Sequence, residues 1–473
     1  MSDKILPTNI RLTLQPAPAW IAILALVFLC ALCILAGAGK ILNLAFPAGA
    51  FAVGLFLYFR YPVLYIGFSW WMWFLTPLVR RLADYRSGFS NPSPILLAPF
   101  LVTLITLITL WQNLPKTARQ GSLPFVLSIA GIFYSFLVGF ILKSPVEACL
   151  ALLEWLAPVL LGYHLFLNWR NYPDYRQNIQ RVFVWGVLVM GVYGIIQYVT
   201  MPEWDRFWLI NTGFTTSGSP EPFGFRVWST LNSTEPFAAM MAASLLLLLS
   251  NNQQKVLGVL ASVAGYSALL LTFARSSWLG WLAGLLTLIS SLKPKHRIRL
   301  IITLLAILIL VIPLSTLEPF SDKVSERLET FSSLEDDNSF QNRQAYFKMV
   351  FGDALTSVVG VGIGGVATDN SILVMLFQLG WIGTIFYMGG MSLLVFSLCQ
   401  SSEVGFDTFA VAARAAVISA LVRLPINVPM LGVSGTVLWG FLGIGLAAHQ
   451  YHHHQRQIKL RESLSQNQLN SLK

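Results

Sequence analysis

Long apolar stretches, broken by short polar ones, run through most of the chain. A helix needs about 20 apolar residues to cross a bilayer, and helices are the usual way to keep backbone polar groups satisfied there. On that measure the candidate spans are 19–39, 42–59, 62–79, 95–111, 123–142, 146–167 and 182–200. A second group follows at 236–249, 256–273, 276–292 and 300–314, and a third at 372–398, 408–424 and 430–448. The segment at 236–249 is short and the region 42–79 is hard to divide. The expected fold is therefore all-α, a polytopic membrane protein with about 12–14 transmembrane helices.

The same pattern sets the organisation. A cytoplasmic N-terminus (1–18) precedes an N-terminal transmembrane bundle (19–200). An outer polar loop (201–235), central helices (236–315) and a large outer loop with an amphipathic helix (316–369) come next. C-terminal transmembrane helices (370–448) and a cytoplasmic tail (449–473) complete it.

Composition narrows the class. Of 473 residues, 55% are hydrophobic and 11% charged, against about 25% charged in soluble domains. So few charges cannot cover a water-soluble surface, which excludes a cytosolic or secreted enzyme and a disordered chain. The net charge of +10 comes from 31 basic and 21 acidic residues. The basic residues are scattered among short loops without interleaved aromatics, so nucleic acid is not an expected partner. Cys30, Cys33, Cys149 and Cys399 all lie in apolar runs and read as buried thiols, not disulfides. The first apolar run has no cleavage signature and reads as an anchor helix.

Lys and Arg in short loops set orientation. Lys293, Lys295, Arg297 and Arg299 form one basic loop, Arg170, Arg176 and Arg181 another, and the tail carries Arg456, Lys459 and Arg461. Counting spans places all of these on the cytoplasmic side with both termini. One loop breaks the rule: Arg80, Arg81 and Arg86 fall on the outer side.

The two outer stretches hold 13 of the 21 acids and none of the six histidines. Acid–base chemistry there must use a carboxylate, and a histidine metal site is excluded. The histidines of the tail, His452 to His454, read as a solvated segment. Several arginines sit at membrane depth or at its edge: Arg226, Arg275, Arg343 and Arg423. A lone arginine there is commonly an interfacial anchor. Several on one face, without histidine, suit the oxygens of a diphosphate, which guanidinium forks hold bidentately. The segment 340–352 has an apolar side and reads as a helix lying along the interface. Gly360 to Gly365 (GVGIGG) matches no dinucleotide or P-loop fingerprint and reads as a flexible re-entry turn. Asp369 and Asn370 stand at the mouth of a long helix, where they fit an N-cap. Asp369 also fits a general base.

Four stretches in this order resemble the O-antigen ligase and polymerase superfamily: FRVWSTLNSTEPFAAMM from 225, LTFARSSWLG from 271, NRQAYFKMVFGDALTSVVGVGIGG from 342, and DNSILVMLFQLGWIG from 369. Asp369-Asn370 stands where lipid A–O-antigen ligases usually carry His-Asn, which favours the polymerase and exopolysaccharide branch. WWMWFLTPLVRRLADYRS from 70 resembles the start of exopolysaccharide polymerases and gives Arg80, Arg81 and Arg86 a reason to face outward.

The resemblance implies an inverting, metal-independent membrane glycosyltransferase in the plasma membrane, with no cofactor. Its donor is a saccharide on a polyprenyl diphosphate and its acceptor a saccharide or lipid-linked glycan. Membrane lipids and a chain-length regulator are its other partners. Catalytic roles fall on Asp369, Arg275 and Arg226. Substrate binding falls on Arg343, Asn370, Arg80, Arg81, Arg86 and Tyr346, with Trp204, Trp228 and Phe347 as candidates for sugar stacking. A ligase passing finished glycan to lipid or protein is the alternative within the family. A solute transporter is the alternative outside it, with Glu147 and Glu154 as its ionisable pair.

Overall fold

The computed structural model describes residues 16–250, 255–291, 297–298, 301, 304–305, 309, 351–352, 354–364, 370–400 and 407–471. These residues are almost entirely helical and form no strand. The first group comprises α1 (Ala17–Leu35), α2 (Gly39–Arg60), α3 (Pro62–Ser87), α4 (Pro94–Lys116, in short helical segments), α5 (Leu123–Leu142), α6 (Pro145–Leu167) and α7 (Tyr172–Thr200). A short helix, α8 (Glu203–Thr212), leads to α9 (Thr234–Ser250), α10 (Lys255–Leu270) and α11 (Arg275–Ser291). The last group is α12 (Ser371–Gln400), α13 (Thr408–Leu421) and α14 (Gly432–Ser471).

Among the described residues nine helices, α1 to α7, α12 and α14, are long and apolar enough to cross a membrane. The helices α9, α10 and α13 are shorter and apolar. This is the architecture of a multi-pass membrane protein. The expected span 300–314 and the loop 316–369 with its interfacial helix fall largely outside the described residues.

Between helices in lipid, close backbone approach and hydrogen bonding replace the hydrophobic drive. The pairing of α6 with α14 depends on that approach. A Cβ on Gly443 would lie 2.1 Å from the carbonyl oxygen of Gly162. In the α5–α12 pair, a Cβ on Gly390 would lie 2.2 Å from the Pro124 carbonyl. The Ser128 hydroxyl donates to the Tyr387 carbonyl at 3.0 Å across the same seam.

Four sequence expectations change. First, α3 continues beyond residue 79 to Ser87, so Arg80, Arg81 and Arg86 occupy its last turns. An i, i+4 ion pair, Arg80 Nε to Asp84 at 3.2 Å, helps carry the helix that far. Second, Cys149 and Cys399 are exposed on the bundle's outer surface, whereas Cys30 and Cys33 are buried; all four are free thiols. Third, α14 runs on into the tail, and His452 is not merely solvated: its Nε2 lies 3.1 Å from Asp407.

The fourth change is the glycine turn. Gly360, Gly362 and Gly364 all have φ near +80°, a region that favours glycine. The turn is wedged against α5 and α12 and is not loose. A Cβ on Gly362 would sit 2.2 Å from Gly139 Cα. The Val361 amide donates to the Phe377 carbonyl at 2.7 Å and the Ile363 amide to the Ser135 carbonyl at 3.2 Å. Phe377 lies in a π-helical turn, Met375–Leu379, inside α12. Such a turn breaks the i→i−4 ladder, and the glycine segment takes up the Phe377 carbonyl. These two amides are therefore committed to protein carbonyls and are not turned to an anion.

Candidate functional site

One end of the bundle gathers many of the polar side chains among the described residues. The N-termini of α9, α11 and α12, the C-termini of α3, α7 and α13, and the segments 201–235 and 422–431 meet there. Arg226 is tied to the turn that precedes α11, the helix that Arg275 opens 49 positions later in sequence. Arg226 Nε donates to the Thr272 carbonyl at 3.0 Å, and the neighbouring Val227 amide donates to Leu271 at 3.0 Å. The turn is held open by Phe273, a non-glycine residue at φ +49°. The Thr272 hydroxyl accepts from the Ala274 amide at 3.2 Å within it. Both arginines are half-buried.

The residue after Arg275 continues the cluster. Asn427 Nδ2 donates to the Ser276 hydroxyl and to Glu235 Oε1, each at 2.8 Å. Glu235 Oε1 also accepts from Arg423 Nη1 at 3.0 Å. Arg423 is buried, and its Nε is anchored on the Ser419 carbonyl at 3.2 Å. Desolvation by that burial lowers its pKa, while the Glu235 carboxylate opposes the shift.

Asn370 joins from α12. Its Oδ1 caps the helix by accepting from the amides of Ile372 at 2.8 Å and Leu373 at 3.3 Å. Its Nδ2 donates to the Pro425 carbonyl at 2.9 Å. The Ser371 hydroxyl donates to the Asn427 carbonyl. The capping role expected of the Asp369-Asn370 pair thus belongs to Asn370.

The arginines of α3 have other work. Arg81 is fully buried, and its Nε lies 3.2 Å from Asp205 Oδ1 with neither side chain exposed. Its Nη2 donates to the Ser229 carbonyl. Asp205 Oδ2 accepts from Tyr193 at 2.7 Å and from Gln197 at 2.9 Å, and Gln197 Oε1 accepts the Ser229 amide at 2.8 Å. Arg80 is 6% exposed; besides Asp84 it reaches the Ser90 carbonyl at 2.8 Å and the Phe89 ring. Both guanidiniums are thus engaged by groups of the protein itself. Arg86 is exposed. Trp228 is likewise fully buried, packed on Trp208 and Phe225, so it cannot stack on a sugar. Trp204 donates to the Tyr193 hydroxyl at 2.6 Å.

Asp369, Arg343, Tyr346 and Phe347 lie outside the described residues. Sequence reasoning missed the part played by Glu235, Ser276 and Asn427. Glu235 and Ser276 lie within the stretches that begin at 225 and 271, but neither has a spacing that marks it. Asn427 follows an arginine-bearing helix end in a segment that reads as a plain turn. Among the described residues no three His, Cys, Asp or Glu side chains come together as metal ligands.

The opposite end carries a second knot. Asp407 caps α13 and accepts from Tyr172 at 2.6 Å, Arg176 at 3.2 Å and His452 at 3.1 Å. It ties α7, α13 and α14 together.

No protein-family model matches the chain, and no curated protein is significantly similar to it.

Proposed function

We propose that the chain is a membrane glycosyltransferase that polymerises or transfers saccharide units carried on a polyprenyl diphosphate, working at the outer face of the plasma membrane. The observation that carries this reading is the convergence of Arg226, Arg275, Glu235 and Asn370 at one end of a multi-pass bundle, brought there from stretches up to 144 residues apart. The resemblance of those stretches to the O-antigen ligase and polymerase superfamily supplies the reaction class.

In the reaction, an acceptor sugar hydroxyl attacks the anomeric carbon of the donor. The new C–O bond forms as the bond from that carbon to the diphosphate oxygen breaks, and the polyprenyl diphosphate leaves with the electron pair. Arg226 and Arg275 bind that diphosphate and stabilise the charge that grows on it, an effect that commonly contributes most to such catalysis. The hydroxyl proton passes to Asp369. A single displacement inverts the anomeric centre. The arginines bring the positive charge that the leaving group requires.

The test is the lipid-linked pool of cells lacking the protein. Accumulation of lipid-linked single repeat units is the expected result, and polymer of normal length would overturn the polymerase reading. Asp369→Asn should abolish polymer while the protein stays in the membrane; full activity would remove Asp369 as the base.

A further inference from the structure

The Glu235 carboxylate is held from one side only. Oε1 takes both hydrogen bonds, from Arg423 and Asn427, and among the described residues Oε2 takes none. The side chain is 31% exposed, whereas Arg423 beneath it is 1% exposed. A buried guanidinium thus fixes a carboxylate that itself remains partly exposed.

Ser276 stands beside it. Its hydroxyl accepts from the same Asn427 nitrogen that serves Glu235, so its own O–H is left to donate. Asn427 is fixed in turn, because its carbonyl accepts from Ser371 and the preceding turn is pinned by Asn370 on Pro425. The Glu235 carboxylate, through Oε1, and the Ser276 hydroxyl are therefore both held by a single Asn427 nitrogen.

We propose that Glu235 Oε2 and the Ser276 hydroxyl form a subsite for a pair of neighbouring hydroxyls on a neutral saccharide. This rests on the glycosyltransferase reading and names the sugar class at that same site. Adjacent sugar hydroxyls present a donor and an acceptor side by side, which matches this pair. Preorganised groups of this kind lose little freedom on binding. Arg423 neutralises the carboxylate and makes the seat a poor one for a cation. An acidic sugar would bring a second carboxylate against Oε2, and the subsite should reject it. Arg275, to which the glycosyltransferase reading assigns the diphosphate, immediately precedes Ser276 in the chain.

The test uses the full-length chain in lipid nanodiscs and saturation-transfer NMR with three probes: methyl glucoside, methyl glucuronide and farnesyl diphosphate. The wild type should bind the glucoside and not the glucuronide. Glu235→Gln and Ser276→Ala should each weaken glucoside binding roughly tenfold, the scale of one charge-assisted hydrogen bond, and leave farnesyl diphosphate binding intact. Ser276→Ala keeps the Glu235–Arg423 pair, so it remains informative if Glu235→Gln folds poorly. Glucoside binding that is absent from the wild type, unchanged in Ser276→Ala, or matched by glucuronide would overturn the subsite. Farnesyl diphosphate binding that is absent, or indifferent to Arg275→Ala, would instead overturn the glycosyltransferase reading.

Discussion

Arg81 and Asp205 form an ion pair with both side chains sealed from solvent, Nε to Oδ1 at 3.2 Å. The two residues are 124 positions apart, on the last turns of α3 and the first turn of α8. The pair joins the N-terminal bundle to the segment that carries Arg226, because Arg81 also reaches the Ser229 carbonyl three residues further on.

Removing one partner of such a pair leaves a buried charge without its counterion, which costs about 3–5 kcal/mol. Arg81→Ala should therefore lower the folded yield and the melting temperature in detergent sharply. Arg86→Ala, at an exposed site on the same helix, should leave both unchanged. Size-exclusion profiles and thermal melts of the two variants check this. Equal behaviour would show that the pair contributes little.

A diphosphate grip by Arg275 predicts that charge alone is not enough. Arg275→Lys keeps the cation and loses the bidentate fork. Polymer synthesis should fall nearly as far as in Arg275→Ala, by roughly 100-fold or more if the fork acts on the leaving group. Polymer yield per unit of membrane protein is the measurement. Retention of most activity in the lysine variant would count against bidentate contact.

The glycine turn gives a steric prediction. Gly362→Ala adds a Cβ at φ +80°, 2.2 Å from Gly139 Cα. Backbone would meet backbone, so no rotamer can relieve the clash, and the turn must leave its seat between α5 and α12. A loss on the order of 3 kcal/mol or more is expected. Gly352→Ala, which meets nothing within 4 Å, is the matched control. Proteolysis near residues 360–364 should rise in the first variant only.

At the opposite end, burial pushes the Asp407 carboxyl upward, but hydrogen bonds from His452 and Tyr172 and the charge of Arg176 outweigh it and hold the group below its usual range. A depressed folded value stabilises the fold above the unfolded carboxylate pKa of about 4 and loses that contribution as pH falls through the folded value. Apparent stability from this group should therefore hold from neutral pH down to about pH 4 and drop below it. Asp407→Asn should flatten that drop and cost about 1–2 kcal/mol at pH 7, a figure lowered by the partial exposure of Arg176 and His452. Melts across pH for the two proteins make the comparison.

The helical bundle was legible because apolar length is a local property. Twenty apolar residues in a row report a bilayer wherever they occur, and the expected spans 123–142 and 146–167 match α5 and α6 almost residue for residue. Helix ends were less legible. The polar residues that close α3 satisfy one another within the helix, as Arg80 and Asp84 do, so polarity did not mark the end of the helix.

Arginine roles divided along the same line. Sequence set Arg226 and Arg275 apart as costly charges at a membrane edge, and Arg80 and Arg81 as basic residues on the side where orientation does not expect them. Tertiary contacts separated them. Arg81 found a carboxylate 124 residues away and was buried with it, whereas Arg226 reached the Thr272 carbonyl in the turn before α11 and, like Arg275, is half-buried. Charge and hydropathy belong to each residue and its near neighbours, so the sequence by itself determined an all-helical membrane chain with arginines at its edges. That Arg81 pairs with Asp205, and that Arg423 and Asn427 converge on Glu235, depends on distances across the folded bundle. Only packing of the helices decides that.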